Sequence, residues 1–230
     1  MTAVLIDEIL KERELRIQDC DAVCVSKGPG SYTGLRVGVS SAKGLCFGAG
    51  LPLLAVGTPD ILVAQALQDP AGGDGQPPAP KGNTPGPDRT SYYDAIIPVI
   101  DARRDEVYTA VFTPGTDGSP DAALGYKRSS PVRALIVGQD KFDTELDGRS
   151  ILFIGDAADK CRRLLTQAPA GDDGQPADLS HCRFVQTQPR ADAMAALAQQ
   201  AFDRGAFEDV AYFEPFYLKD FVATTPKKLF

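Results

Sequence analysis

The chain reads as an α/β protein, and two observations carry that reading. Apolar runs of strand length are interleaved with longer segments of helical periodicity, rather than segregated from them. A Pro/Gly-rich stretch, 69–90, then parts the 230 residues into a first unit, 1–90, and a second, 91–230. That length suffices for one large domain or two small ones, with ample residues to bury a core.

The elements follow in order. Thr2–Glu12 is helical: at 100° per residue Ala3, Leu5, Ile6, Ile9 and Leu10 share a face, with Asp7, Glu8, Lys11 and Glu12 mostly opposite. Ala22–Val25 is a short buried strand. The turn Gly28-Pro29-Gly30-Ser31-Tyr32-Thr33-Gly34 follows, and a helix runs from Leu35 to Ala49. Leu51–Val56 has strand length. Thr58-Pro59-Asp60 starts a helix with Pro at its first position, continued by Ile61–Leu67. The 69–90 stretch has too little apolar surface to offset its ordering entropy, so it is expected to be a disordered insert, with Ala168–Ser180 a shorter one of the same kind. Ala95–Ile100 and Glu106–Phe112 form a strand pair through Ala102–Asp105. A polar stretch reaches about Ser130, and Val132–Val137 fits helix or strand. Ile151–Ile154 is a strand, Asp156–Leu165 a helix, Phe184-Val185 a possible short strand, and Arg190–Arg204 an alanine-rich helix.

Composition excludes several functions. Hydrophobic content of 43% and charged content of 24% are those of a globular protein. No run approaches the ~18–20 apolar residues of a membrane helix, and Met1-Thr2-Ala3 leads straight into the first helix without a signal peptide, so the cytoplasm is expected. A net charge of −7 repels phosphate backbones. Arg103-Arg104, Arg162-Arg163 and Lys227-Lys228 read as solvated faces, so any RNA would be held by a partner. Five cysteines (20, 24, 46, 161, 182) form no Cys-x-x-Cys pair, and neither a disulfide framework nor a zinc site is expected.

The strand–turn–helix layout at 23–49 is one that anion-binding loops use. No Gly-Lys-Ser/Thr closes it, however, and glycines at 28, 30 and 34 miss the dinucleotide spacing by one residue. Ser31 or Thr33 capping the helix explains the hydroxyls more simply than a nucleophile elbow. His181, the one histidine, lies in a polar spacer beside Cys182 and reads as an exposed loop residue. It cannot supply the paired imidazoles of a zinc protease. The helix is two-faced: Leu35, Val39, Ala42, Leu45, Cys46 and Ala49 suit a sheet, whereas Val37, Ser41, Gly44 and Gly48, with Ser40 beside them, leave a small face. A mid-helix glycine costs ~0.5–1 kcal/mol against alanine, so Gly44 implies close approach of another backbone. The simplest candidate is helix 2–12.

Gly28-Pro-Gly-Ser-Tyr-Thr-Gly-Leu-Arg-Val-Gly38 followed by Ala42-Lys-Gly-Leu45 resembles the TsaB family, bacterial subunits of the machinery that makes threonylcarbamoyladenosine on tRNA. Pro98-Val-Ile-Asp-Ala-Arg-Arg-Asp-Glu-Val-Tyr108, Ile151-Leu-Phe-Ile-Gly-Asp-Ala157 and Pro215-Phe-Tyr-Leu-Lys219 are similar to further stretches of that family. The resemblance implies two actin/hexokinase/Hsp70-like lobes with mixed sheets flanked by helices. Family members begin with three strands before the first helix, whereas this chain starts at that helix. The first lobe is therefore expected to be N-terminally truncated, with unpaired edges that invite association.

The resemblance further implies a non-catalytic dimerisation subunit that pairs with the catalytic paralog TsaD. The ATPase TsaE would dock on the pair, the adenylate would come from TsaC, and tRNA would be met only through the complex. A homodimer is a further expectation. Interface candidates are Leu5, Ile9 and Glu12 on the first helix, and Arg36, Val37, Ser40, Lys43, Gly44 and Phe47 on the second. Arg36 stands in a first helical turn, where the dipole disfavours a cation, and a partner carboxylate would remove that conflict. The superfamily's enzymes hold nucleotide phosphates and magnesium on two acidic, glycine-flanked turns. Asp101 corresponds to the second, yet Ala102-Arg103-Arg104 follows it. Asp101 reads as a strand-end residue capping a turn, with a cation contact as its alternative role. No catalytic residue, metal site or cofactor is assigned. The rival reading is a nucleotide-dependent ATPase or kinase of that superfamily, or a glycoprotease-like peptidase.

Overall fold

The computed structural model describes residues 2–68, 93–115, 125–144, 146, 148–167 and 178–219. The 69–90 insert, most of Ala168–Ser180 and Lys227-Lys228 lie outside them. The elements are α1 (Thr2–Glu12), β1 (Val23–Gly28), α2 (Tyr32–Ala49), β2 (Leu53–Gly57), α3 (Thr58–Gln68), β3 (Ala95–Asp101), β4 (Glu106–Thr109), β5 (Phe112–Pro114), β6 (Tyr126–Arg128), β7 (Arg133–Ile136), β8 (Ile151–Gly155), α4 (Ala158–Gln167), β9 (Cys182–Gln186) and α5 (Ala195–Asp203). Short 3-10 turns at Ile17–Asp19 and Asp192–Met194 complete the described helices.

Two sheets result. In the first, β1 and β2 run parallel, Val23 opposite Leu53, with an irregularity between Ser26 and Gly28. In the second, β3 is flanked on one edge by parallel β8, itself parallel to β9. Its other edge takes antiparallel β4 and β5, whose registers on β3 (Val99 opposite Thr109, Ile96 opposite Phe112) continue one another. β7 pairs with β4, and β6 with β5.

α3 explains how the two sheets are joined. Eight of its eleven residues are buried, so it is apolar all round, as a helix with protein on every side must be. Leu62, Val63 and Ala66 pack onto Ile96, Ile100, Leu152 and Ile154 of the second sheet. Ile61 and Ala64 pack with Val56 of the first sheet and Leu197 of α5. At ~1.5–3 kcal/mol per fully buried aliphatic side chain, this helix carries much of the cohesion. Its one buried amide side chain is satisfied: Gln65 Nε2 donates to Thr187 Oγ1 (2.9 Å) and Oε1 accepts from the Arg190 amide (3.1 Å). α4 seals the opposite face of the second sheet with Ala158, Cys161 and Leu165.

Residues 208–219 run as a strap over the first sheet. The Glu208 amide donates to Leu53 O (2.8 Å) and the Phe216 amide to Lys27 O (2.7 Å). Val210 and Phe213 join Val23, Val25, Ala42, Cys46 and Leu53 in one cluster. Lys219 then pairs with Glu106 on β4.

Three expectations change. α2 begins at Tyr32, three residues before the expected Leu35, because Ser31 caps it: its Oγ accepts the Gly34 amide (3.4 Å). β6 lies inside the stretch read only as polar, with no element assigned; three residues are too few to show an alternation. His181 is buried, not an exposed loop residue. It immediately precedes β9, and its carbonyl accepts the Ile151 amide (3.2 Å), so strand pairing draws it inward despite its polar neighbours.

Candidate functional site

The glycine turn is shaped by the strap. Gly28 has φ +101°, and a Cβ there would stand 2.9 Å from Leu35 Cδ1 and 3.0 Å from Phe216 O. Only glycine combines that backbone with that approach. Gly28 and Pro29 are buried, and Gly30 is half-buried. Ser31, Tyr32, Thr33 and Gly34 are exposed. The Tyr32 and Tyr217 rings lie 4.9 Å apart, and the Arg36 guanidinium sits 5.4 Å from the Tyr32 centroid. The turn therefore receives the chain's own C-terminal segment.

α2 shows the two faces read from its sequence. Leu35, Val39, Ala42 and Cys46 are buried against the first sheet. On the other side Arg36, Val37, Ser40, Gly44 and Phe47 are exposed, with Phe47 at 86%. A Cβ at Gly44 or Gly48 would meet nothing within 4 Å, so α1 contacts α2 without covering these glycines. Helix 2–12 is thus not what approaches Gly44. On α1, Leu5 and Ile9 are 52% and 59% exposed, and Glu12 is exposed too. Among the candidates Lys43 stands apart: its Nζ donates to Ala211 O and Phe213 O, 3.0 Å each, and so fastens the strap. Two exposed residues escaped the sequence reading, Val4 at the margin of the α1 stripe and Tyr212, which Lys43 holds beside α2.

The Asp101 turn is a third constellation. Asp101 Oδ1 accepts the Arg103 amide (3.2 Å), the capping role read from the sequence. The Asp101 amide donates to Asp156 Oδ1 (2.8 Å). Arg103 and Arg104 have φ +68° and +49°. Burial pushes the Asp156 carboxyl above its ordinary pKa, and the nearby Asp101 charge adds to this. Lys160 of α4 reaches in, its ammonium bonded to Asp101 Oδ1, Arg104 O (3.0 Å) and Glu106 O (2.7 Å). The four-residue interval from Asp156 to Lys160 is the only sequence trace of this arrangement.

The peptidase reading finds no constellation among the described residues. His181 Nε2 is buried without a hydrogen-bond partner. Among the described residues no group of three His, Cys, Asp or Glu side chains is placed to hold a metal.

The chain is 31% identical over 108 residues to "tRNA threonylcarbamoyladenosine biosynthesis protein TsaB" of Bacillus subtilis, covering 46% of this chain and 37% of that protein. The Haemophilus influenzae TsaB is 32% identical over 104 residues, covering 45% and 35%. Over these stretches the similarity is to TsaB proteins. Residues 2–79 also match the family model "TsaD: tRNA N6-adenosine threonylcarbamoyltransferase". A Pediococcus pentosaceus tRNA N6-adenosine threonylcarbamoyltransferase is 47% identical over 53 residues, covering 23% of this chain and 15% of that one. The matches span well under half the length of these curated relatives. Among solved structures, YeaZ from Pseudomonas aeruginosa superposes with a TM-score of 0.66 at 21% identity, covering 93% of this chain and 80% of that one. A second P. aeruginosa structure, described as similar to peptidase YeaZ, gives 0.66 at 20% identity, with 93% and 81% covered. The fold is that of YeaZ: mixed α/β, with sheets flanked by helices.

Proposed function

We propose that this chain is a non-catalytic subunit of the tRNA threonylcarbamoyladenosine machinery that pairs with a TsaD-type catalytic paralog. The observation that carries the reading is the bare surface of α1 and α2, where Leu5, Ile9, Val37 and Phe47 are each more than half exposed around glycines with open space above them. Large exposed apolar side chains beside small residues suit a helix-on-helix contact. The likeness to both TsaB and TsaD proteins supports a pairing of paralogs. In this reading 1–90 and 91–230 are two lobes of one subunit, and the bare helices belong to the first. A TsaE-type ATPase docks on the pair, the adenylate comes from a TsaC-type enzyme, tRNA is met only through the complex, and the setting is cytoplasmic. A homodimer on the same face is its competing state.

The experiment is light scattering on this chain alone and mixed with a TsaD-type protein. We expect a defined heterodimer that Phe47→Asp or Arg36→Glu weakens at least tenfold without lowering the melting temperature. A heterodimer unaffected by either substitution removes the interface assignment. No heterodimer at micromolar concentrations removes the pairing. Purified alone, the chain should turn over no ATP; turnover abolished by Asp101→Ala would establish the enzyme reading instead.

A further inference from the structure

The superfamily likeness implies a nucleotide with its magnesium at the Asp101 turn, and the residues present do not fit that group. Phosphate binding on such a turn needs backbone amides that a ligand can approach closely, which glycine provides. Here two consecutive arginines carry the positive-φ positions. A divalent metal needs free oxygens around it. Asp101 Oδ1 and the carbonyls of Arg104 and Glu106 are the oxygens that converge, and all three already accept from Lys160 Nζ. Asp156 Oδ1 is engaged by the Asp101 amide.

We propose that Lys160 is a built-in cation. Its ammonium, on a side chain only 16% exposed, occupies the oxygen cage where the fold would take a metal ion, and so closes the second-sheet turn to metal and phosphate together. An ammonium has three N–H donors and no acceptor, and three oxygens of the β3–β4 turn satisfy all three. One positive charge offsets the Asp101 carboxylate beside the half-buried Asp156. The remaining charges around the turn do not compete for the cage. Glu106 carboxylate turns to Lys219, Asp159 to Arg162, and the Arg103, Arg104 and Asp105 side chains are exposed. The same contacts tie α4 to the hairpin, so Lys160 also fixes the β3–β4 turn relative to β8. This inference stands independently of the partner reading.

Manganese binding, measured by the loss of the free-ion electron paramagnetic resonance signal, tests it on the full chain. Lys160→Met keeps the aliphatic stem and removes the ammonium, which frees Asp101 and the two carbonyls. We expect it to gain one site at least tenfold tighter than any in the wild type, and Lys160→Met/Asp101→Asn to lose that site. Unchanged manganese binding in Lys160→Met, or a gain that survives in the double variant, overturns the proposal. A second measurement needs no variant: amine acetylation of the native chain read by mass spectrometry. Lys160 should react at least tenfold more slowly than the exposed Lys11 and Lys141. Equal rates would mean that the ammonium is not caged, and would also overturn it.

Discussion

A methyl group at Gly155 would be driven into the carbonyl oxygen of Val99, and the residue has φ +140° besides. Gly155→Ala therefore combines a backbone clash with a strained conformation, and should cost at least ~1–3 kcal/mol in urea unfolding. Its neighbour Asp156 acts through charge. Burial raises its native carboxyl pKa above the unfolded value of 3.8, so the folded state holds the proton more tightly than the unfolded one. The stability this adds is fully present below the unfolded pKa and is lost as pH rises through the native one. Asp156→Asn keeps an acceptor for the Asp101 amide, so it should be as stable as wild type or more stable at pH 7. Below about pH 4 it should lose that advantage; melting curves across pH 3–7 decide. Cys161 illustrates desolvation of the opposite practical kind: burial pushes its thiol up to about 12, and it should resist iodoacetamide until the chain unfolds. Such residues divide by how far their reasons lie along the chain. The Ser31 cap and the Asp101 turn are local and legible. Gly28 answers to Phe216, and His181 to Ile151, and nothing in a local window announces either partner.

At the scale of elements, two-faced α2 is readable because helical periodicity records which side is buried, whereas the apolar stripe of α1 is left largely exposed. What covers the other side is not recorded. Glycine at position 44 implies a neighbouring backbone, and the described residues supply none there. This separates two contributions that one substitution reports together. With open space at the Cβ and helical backbone, Gly44→Ala should stabilise the isolated chain by ~0.5–1 kcal/mol. If a partner backbone approaches that face, the same methyl should weaken heterodimer formation. Denaturant unfolding of the free chain and titration of the pair measure the two effects separately. The strands show a different limit. The Val132–Val137 run fits either state, and β4 decides it by pairing Val107 with Leu135 and Glu106 with Ile136. β6 exists because β5 offers it an edge, not because three residues prefer extension.

For the whole molecule, the strap is the feature that sequence order conceals. It closes the outer side of β2, covers the α2 face of the first sheet, crosses the glycine turn and ends on β4. In the sequence Pro215–Lys219 stands out only as a motif, because the strap's partners are far away: Lys43 bonds to a carbonyl 170 positions downstream. Lys43→Met should release this fastening, and limited proteolysis should then cut between 208 and 219 several-fold faster while the second sheet stays protected. Unchanged cleavage would mean that the apolar anchors Val210 and Phe213 hold the strap unaided. The same connectivity sets a timetable for synthesis. Synthesis proceeds from the N-terminus, so Val23, Val25 and Leu53 leave the ribosome long before Val210 and Phe213 exist to cover them. The first sheet is thus completed only once the strap has been made, and until then its apolar surface stays open to chaperones or to other nascent chains.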